Sequence, residues 1–70
     1  MQGSEFSYKG YGLQPLAAYD DGAYAAMVIM RSPDGIERAS DVLCVFPDPV
    51  KARQYALHQG MADVDRRQAK

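Results

Sequence analysis

The sequence predicts an α+β fold: a three-stranded antiparallel β-meander followed by one α-helix packed on one face, with a short C-terminal strand as an option. Two observations lead to this prediction. Turn sequences at residues 20–22 (Asp-Asp-Gly) and 32–35 (Ser-Pro-Asp-Gly) separate β-prone runs. The segment that follows, residues 48–60, carries the signals that begin and end a helix.

Residues 8–19 are rich in aromatic and aliphatic side chains and predict a long, irregular first strand. Gly10, Gly12 and Pro15 weaken its hydrogen-bond ladder. Because proline has no N–H to donate, we expect an edge strand in which the nitrogen of Pro15 faces solvent or a bulge.

Residues 24–31 predict the second strand, which follows the Asp-Asp-Gly turn directly. Alternation places Tyr24, Val28 and Met30 on one face and Met27 and Ile29 on the other. Both faces are apolar, which is typical of a central strand that is covered on both sides.

Residues 36–46 predict the third strand, polar in its first half and strongly β-prone in its second. Cys44 lies within this apolar second half, so we expect an inert, buried thiol.

The helix is predicted over residues 49–59. Asp48 is expected to cap it, Pro49 to occupy its first position and Gly60 to end it in the left-handed conformation. On this helix, a shared face is expected for Ala52, Tyr55, Ala56 and Gln59. Beyond Gly60, residues 61–65 alternate weakly between apolar and acidic, which permits a short strand or an extended tail, and residues 66–70 are expected to fray.

Residues 1–70 are interpreted as one domain. The Gly-Ser-Glu-Phe of residues 3–6 resembles a cloning remnant, so no function is assigned to residues 1–6. No secretion signal is evident, and the longest apolar run, residues 23–30, is much shorter than the ~20 residues that span a bilayer. With a single cysteine, these features indicate a cytoplasmic protein without a membrane partner.

A chain of 70 residues is close to the lower limit for a core that stabilises itself. Cys44 has no second cysteine to pair with, and one Cys and one His are too few for a structural zinc site. One helix also leaves the second face of the sheet uncovered. We therefore expect a homodimer, whether by stacking of sheets, pairing of edges or exchange of hairpins.

No set of residues indicates catalysis, a metal or a cofactor. Cys44 and His58 lack a recognisable third residue and oxyanion donor, and Asp63 and Asp65 offer too few oxygen ligands for a cation. The net charge of −1 disfavours nucleic acid. The protein is thus predicted not to be an enzyme and to require no cofactor.

A candidate interaction surface is predicted from aromatic and aliphatic residues of the first two strands: Tyr8, Tyr11, Tyr24, Met27 and Ile29. The tyrosines could stack on bases or a planar ligand, but cross-strand pairing and interface packing explain them without a ligand. The predicted function is a non-catalytic protein-interaction or structural module that acts as a homodimer, with an unidentified protein as a further partner. The alternative is an antitoxin-like or nucleic-acid-associated regulatory module.

The chain resembles small uncharacterised bacterial proteins of unknown function through a Tyr-x-Gly-Tyr opening at residue 8, an Asp-Gly-Ala-Tyr hairpin at residue 21, and Phe-Pro-Asp before a helix with Ala52 and Ala56. It is more weakly similar to HicB-like antitoxin domains, in which a comparable hairpin precedes a helix with spaced alanines. That similarity implies a toxin partner and dimerisation. The chain lacks the threonine-rich segment and the appended DNA-binding element of those domains, which argues against both toxin and operator binding.

Overall fold

The computed structural model describes residues 5–68 as a five-stranded antiparallel sheet with one helix across one face. The α+β class, with a meander followed by a helix, is confirmed. The elements are β1 (Phe6–Tyr8), β2 (Tyr11–Asp20), β3 (Ala23–Arg31), β4 (Glu37–Ala39), β5 (Cys44–Phe46) and α1 (Pro49–Gln68). Strands β1 to β4 follow in chain order, and β5 pairs with β3 beside β4.

The predicted first strand is in fact two strands, β1 and β2, so the prediction of one strand over residues 8–19 is wrong. Lys9 (φ 52°) and Gly10 (φ 86°) form a two-residue turn, and Tyr8 lies opposite Tyr11. Two successive positive φ angles are typical of a type I′ hairpin turn, whose twist matches that of the strands. Lysine is not a usual residue for this conformation, so the pattern gave no turn signal at this point.

Pro15 lies at a sheet edge, as predicted. Pairing of β1 with β2 ends at Leu13, so the outer side of β2 has no paired strand from Gln14 onward within the described residues. Asp20 and Ala23 flank the two-residue turn of the next hairpin, so even-numbered residues of β2 direct their backbone groups towards β3. The nitrogen of Pro15 therefore faces outward, and no ladder hydrogen bond is lost.

The second hairpin confirms the predicted turn: Asp21 (φ 53°) and Gly22 (φ 85°) connect β2 to β3. The register places Pro15 opposite Val28 and Leu16 opposite Met27. Strand β3 is central because it pairs with β2 on one side and with β4 and β5 on the other. Its two apolar faces are as predicted.

The predicted third strand is interrupted. Ala39 lies opposite Ile29 and Cys44 opposite Ala26, so the four residues 40–43 lie opposite the two residues 27–28. The N–H of Val28 donates to the Ser40 hydroxyl (3.0 Å), and the N–H of Ser40 donates to the Val28 carbonyl (2.9 Å). Because a side chain replaces the missing backbone acceptor, the chain leaves the ladder without orphaning a polar group of Val28.

Helix α1 begins as predicted. The N–H of Val50 donates to the Asp48 carboxylate (3.4 Å), and the N–H of Ala52 donates to the Asp48 carbonyl (3.1 Å).

The predicted end of the helix at Gly60 is wrong, since α1 continues to Gln68. Gly60 is buried, and a Cβ atom there would lie 3.3 Å from both Leu13 and Val28, so the glycine allows close contact with the sheet. Residues 61–65 are helical, which excludes the optional C-terminal strand. Arg66, Arg67 and Gln68 are helical too, while residues 69–70 of the expected frayed tail lie outside the described part.

The core lies between α1 and the sheet and consists of seven buried apolar residues: Leu13, Ala26, Val28, Met30, Ala52, Ala56 and Val64. Of the predicted helix face, Ala52 and Ala56 are buried and Tyr55 packs on Phe46 with ring centroids 5.3 Å apart, whereas Gln59 is exposed. The buried helix positions recur every fourth residue, a narrow stripe of small side chains that keeps α1 close to β2 and β3.

The suspected cloning remnant is partly structural. Phe6 belongs to β1 opposite Leu13, and the Glu5 carboxylate pairs with Arg31. Residues 1–4 lie outside the described residues.

Candidate functional site

The side of the sheet opposite α1 is apolar along its centre. We call this surface the back face and define it by six residues that the register places on that side: Leu16, Ala18, Ala25, Met27, Ile29 and Val45. Five are half-buried, and Val45 is 57% exposed. No element within residues 5–68 packs on it, so a contiguous apolar surface faces solvent, and surfaces of this kind often serve as interaction sites.

Polar side chains close both ends of the back face. At one end, Arg31 pairs with Glu5 and, over 3.3 Å, with Glu37. At the other end lies the exposed Asp20. An apolar centre with a polar rim is the usual anatomy of a protein–protein interface.

The structure divides the predicted interaction surface between the two sides of the sheet. Met27 and Ile29 lie on the back face, whereas Tyr8, Tyr11 and Tyr24 lie on the helix side and pack against the core. The division follows from strand parity, since Tyr11 alternates with Leu13 and Tyr24 with Ala26. The five residues share a chemical type, but strand parity separates them.

The tyrosines are also separated along the sheet. Tyr8 and Tyr11 flank the first turn, while Tyr19 and Tyr24 meet edge to face at the opposite end of β2, with ring centroids 5.2 Å apart. Cross-strand and core packing therefore account for them.

Leu16, Ala18, Ala25 and Val45 complete the back face and were missed as candidates. The signal was present in the sequence for β2, since Leu16 and Ala18 have the parity opposite to Leu13. Because the hairpin at Lys9 and Gly10 was not predicted, the sequence did not show which of the two parities faces the core.

Cys44 is exposed, so the prediction of a buried thiol is wrong. By register its side chain is on the helix side, opposite Ala26. Helix α1 lies mainly over β2 and β3, and the outer strand β5 extends beyond its cover. His58 is exposed as well. Within residues 5–68, no group of three or more His, Cys, Asp or Glu side chains is placed to hold a metal ion.

Asp65 joins the first hairpin to the end of α1. Its carboxylate accepts hydrogen bonds from Lys9 Nζ (2.8 Å) and from the Tyr8 hydroxyl (3.0 Å). The hydrogen bond from Lys9, followed by that from Tyr8, lowers the pKa of Asp65, and the same contact raises the pKa of Lys9. These shifts have a structural cause and do not indicate a reactive group.

The other shifted carboxyl stabilises a turn. The Ser32 hydroxyl donates to Asp34 (2.6 Å), as does the N–H of Ile36 (3.2 Å), and these hydrogen bonds lower the pKa of Asp34. This is the turn that was predicted at residues 32–35, with Gly35 at φ 92°.

No protein-family model, curated protein or solved structure matches the chain. Helix α1 has 20 residues but is not apolar enough to span a membrane, and no other helix occurs in residues 5–68.

Proposed function

We propose that the protein is a non-catalytic interaction module that acts as a homodimer, in which two copies meet through their back faces. The observation that carries this proposal is the central strand β3, which is apolar on both sides while α1 covers only one. Burying Met27, Ile29 and their neighbours removes apolar surface from water, which stabilises the dimer by ~25 cal/mol for each Å² buried.

A second copy fits this surface better than an unrelated partner does. In a two-fold dimer each copy presents the same patch, so an apolar centre meets an apolar centre and the polar ends meet polar groups or solvent. Two sheets packed in this way lie ~10 Å apart, as in β-sandwiches.

Edge pairing through β2 is the less favoured geometry. The unpaired side of β2 carries Pro15, which cannot donate a hydrogen bond to a neighbouring strand. Proline on an exposed edge is a common means of preventing such pairing.

The size of the back face indicates a weak dimer. Strands of nine and ten residues span roughly 30 Å, and three neighbouring strands add roughly 15 Å of width. The pair of faces then buries on the order of 900 Å², below the usual range for stable complexes. We expect association in the micromolar range.

Sedimentation equilibrium tests the proposal at protein concentrations from about 5 to about 500 µM, a range that brackets the expected dissociation constant. The wild-type protein should change from monomer to dimer over this range, and Met27→Glu should stay monomeric, because dimerisation would bury an unpaired carboxylate. Val50→Glu is the matched control: Val50 is 50% exposed on α1, away from the back face, and its variant should dimerise normally.

Circular dichroism of each variant verifies that the fold is intact. A wild-type protein that remains monomeric at the highest concentration contradicts the proposal, as does a Met27→Glu variant that folds and still dimerises.

The cytoplasmic location and the possession of a further protein partner remain part of this proposal. The lone, exposed Cys44 suits a reducing compartment.

A further inference from the structure

A second surface lies on the opposite side of the sheet, between the C-terminal half of α1 and the outer strand. There a groove of about 320 Å³ opens because α1 does not extend over β4. Three arginines line it, Arg38 from β4 and Arg66 and Arg67 from α1. We call it the arginine groove.

The groove is positively charged although the chain as a whole carries a net charge of −1. Asp63 is the only carboxylate among its lining residues, and it pairs with Arg66 (2.9 Å) and Arg67 (3.1 Å). Arg38 forms no salt bridge with any side chain in residues 5–68. Each guanidinium has five N–H donors, so all three arginines retain donors for a ligand.

The floor of the groove is apolar. Val28 and Met30 from β3 and Leu43 from the interrupted third strand lie between the arginines. Arg38 reaches this side because it lies opposite Met30 and so shares its face of the sheet. Leu43 reaches the floor from the interruption between β4 and β5, where its N–H donates to the Ala26 carbonyl (2.8 Å).

The arginines and the apolar floor together favour one kind of ligand. Arginine side chains bind carboxylates through paired, charge-assisted hydrogen bonds, while the floor requires aliphatic or aromatic side chains. The lining runs along α1 from Gln59 to Arg67, about 12 Å, which matches roughly four residues of an extended peptide.

We propose that the arginine groove binds a short, extended, acidic segment of a partner protein in which carboxylate and apolar side chains alternate. A nucleic acid fits less well, because the floor is apolar and the remaining surface gives no broad positive field. The groove and the back face lie on opposite sides of the sheet, so the proposal does not depend on dimerisation.

The test uses a fluorescent six-residue peptide of alternating glutamate and leucine, with a glutamine–leucine peptide as the uncharged control. Fluorescence anisotropy should show binding of the acidic peptide and none of the control. Amide NMR signals of Leu43, Gly60 and Asp63 should shift on addition of the acidic peptide, which locates it in the groove.

Arg38→Gln should weaken binding about fivefold, as expected for the loss of one charge-assisted hydrogen bond. Because Arg38 is exposed and outside any salt bridge within the described residues, this variant should fold normally. Arg53→Gln makes the same change of charge on an exposed residue outside the groove and should bind like the wild-type protein.

Each of these results overturns the proposal: no binding at millimolar peptide, equal binding of both peptides, equal weakening by both arginine variants, or NMR shifts confined to Met27, Ile29 and Val45. Displacement of the acidic peptide by single-stranded DNA at lower concentration would assign the groove to nucleic acid instead. The monomeric Met27→Glu variant should bind the acidic peptide normally, so failure of the dimer proposal and failure of this one are distinguishable.

Discussion

At the scale of single residues, the strand pattern predicts the side on which a residue lies and not its exposure. Cys44 shows the difference, since it faces the helix side opposite Ala26 and is nevertheless exposed. Its exposure depends on how far α1 extends across the sheet. The local sequence of β5 does not specify that extent. Pro15 shows the reverse case, because its missing N–H restricts it to an edge whatever packs around it.

We expect Cys44 to react fully with an aromatic disulfide reagent in the native protein, at a rate within about threefold of that in the unfolded chain, because thiol reactivity requires access. Stopped-flow absorbance measures both rates, and Cys44→Ser gives the blank. As Cys44 is not on the back face, its rate should not change with protein concentration. Reaction only after addition of denaturant would show that α1 covers this thiol.

At the scale of elements, α1 is defined by a stripe of small residues at every fourth position. Ala52, Ala56 and Gly60 bring the helix axis close to the sheet, and Val64 fills the remaining space at the end. Gly60 costs helix propensity, ~1 kcal/mol relative to alanine, and this cost is offset by close contact with Leu13 and Val28.

Gly60→Val should destabilise the fold by about 2 kcal/mol, because the added atoms overpack a contact that is tight even for a Cβ. Gly60→Ala should be nearly neutral, since the gain in helix propensity offsets the 3.3 Å contacts. Urea unfolding measures both. Gln59→Val, at an exposed neighbouring position, should cost less than about 1 kcal/mol. Equal losses of stability in Gly60→Val and Gln59→Val would contradict the close packing of Gly60 on the sheet.

At the scale of the whole molecule, the two ends of the described chain are joined by one polar cluster. Asp65 near the end of α1 accepts hydrogen bonds from Tyr8 and Lys9, and the Gln68 side chain donates to the Lys9 carbonyl (3.3 Å). The cluster attaches the short first hairpin, which is held otherwise by the pairing of β1 with β2 and by core contacts.

The cluster should make stability depend on pH at both extremes. The pKa of Asp65 is lowered on folding, so its contribution is present above the ordinary value of 3.8 and is lost as the pH falls through the folded value. The pKa of Lys9 is raised, so its contribution is present below 10.5 and is lost as the pH rises through the folded value.

Urea unfolding of the wild-type protein and of Asp65→Asn across this pH range measures the effect. The difference between the two should be constant from about pH 5 to 9 and should decrease towards both extremes. Asp41→Asn is the matched control, because it removes a carboxylate that makes no side-chain hydrogen bond in residues 5–68. A difference that is independent of pH would mean that the cluster contributes nothing through charge.

Neighbouring residues specify the turn at Asp21 and Gly22, the two apolar faces of β3 and the start of α1 at Asp48, so these features could be predicted from the sequence. Turn geometry, strand alternation and helix capping act over a few residues, so their signals are local. The position of Gly60 inside the helix could not be predicted locally, because its close contacts are with Leu13 and Val28, which lie far away in the chain. The same holds for the back face and the arginine groove, since the extent of one helix across a wider sheet decides which apolar and charged side chains remain uncovered.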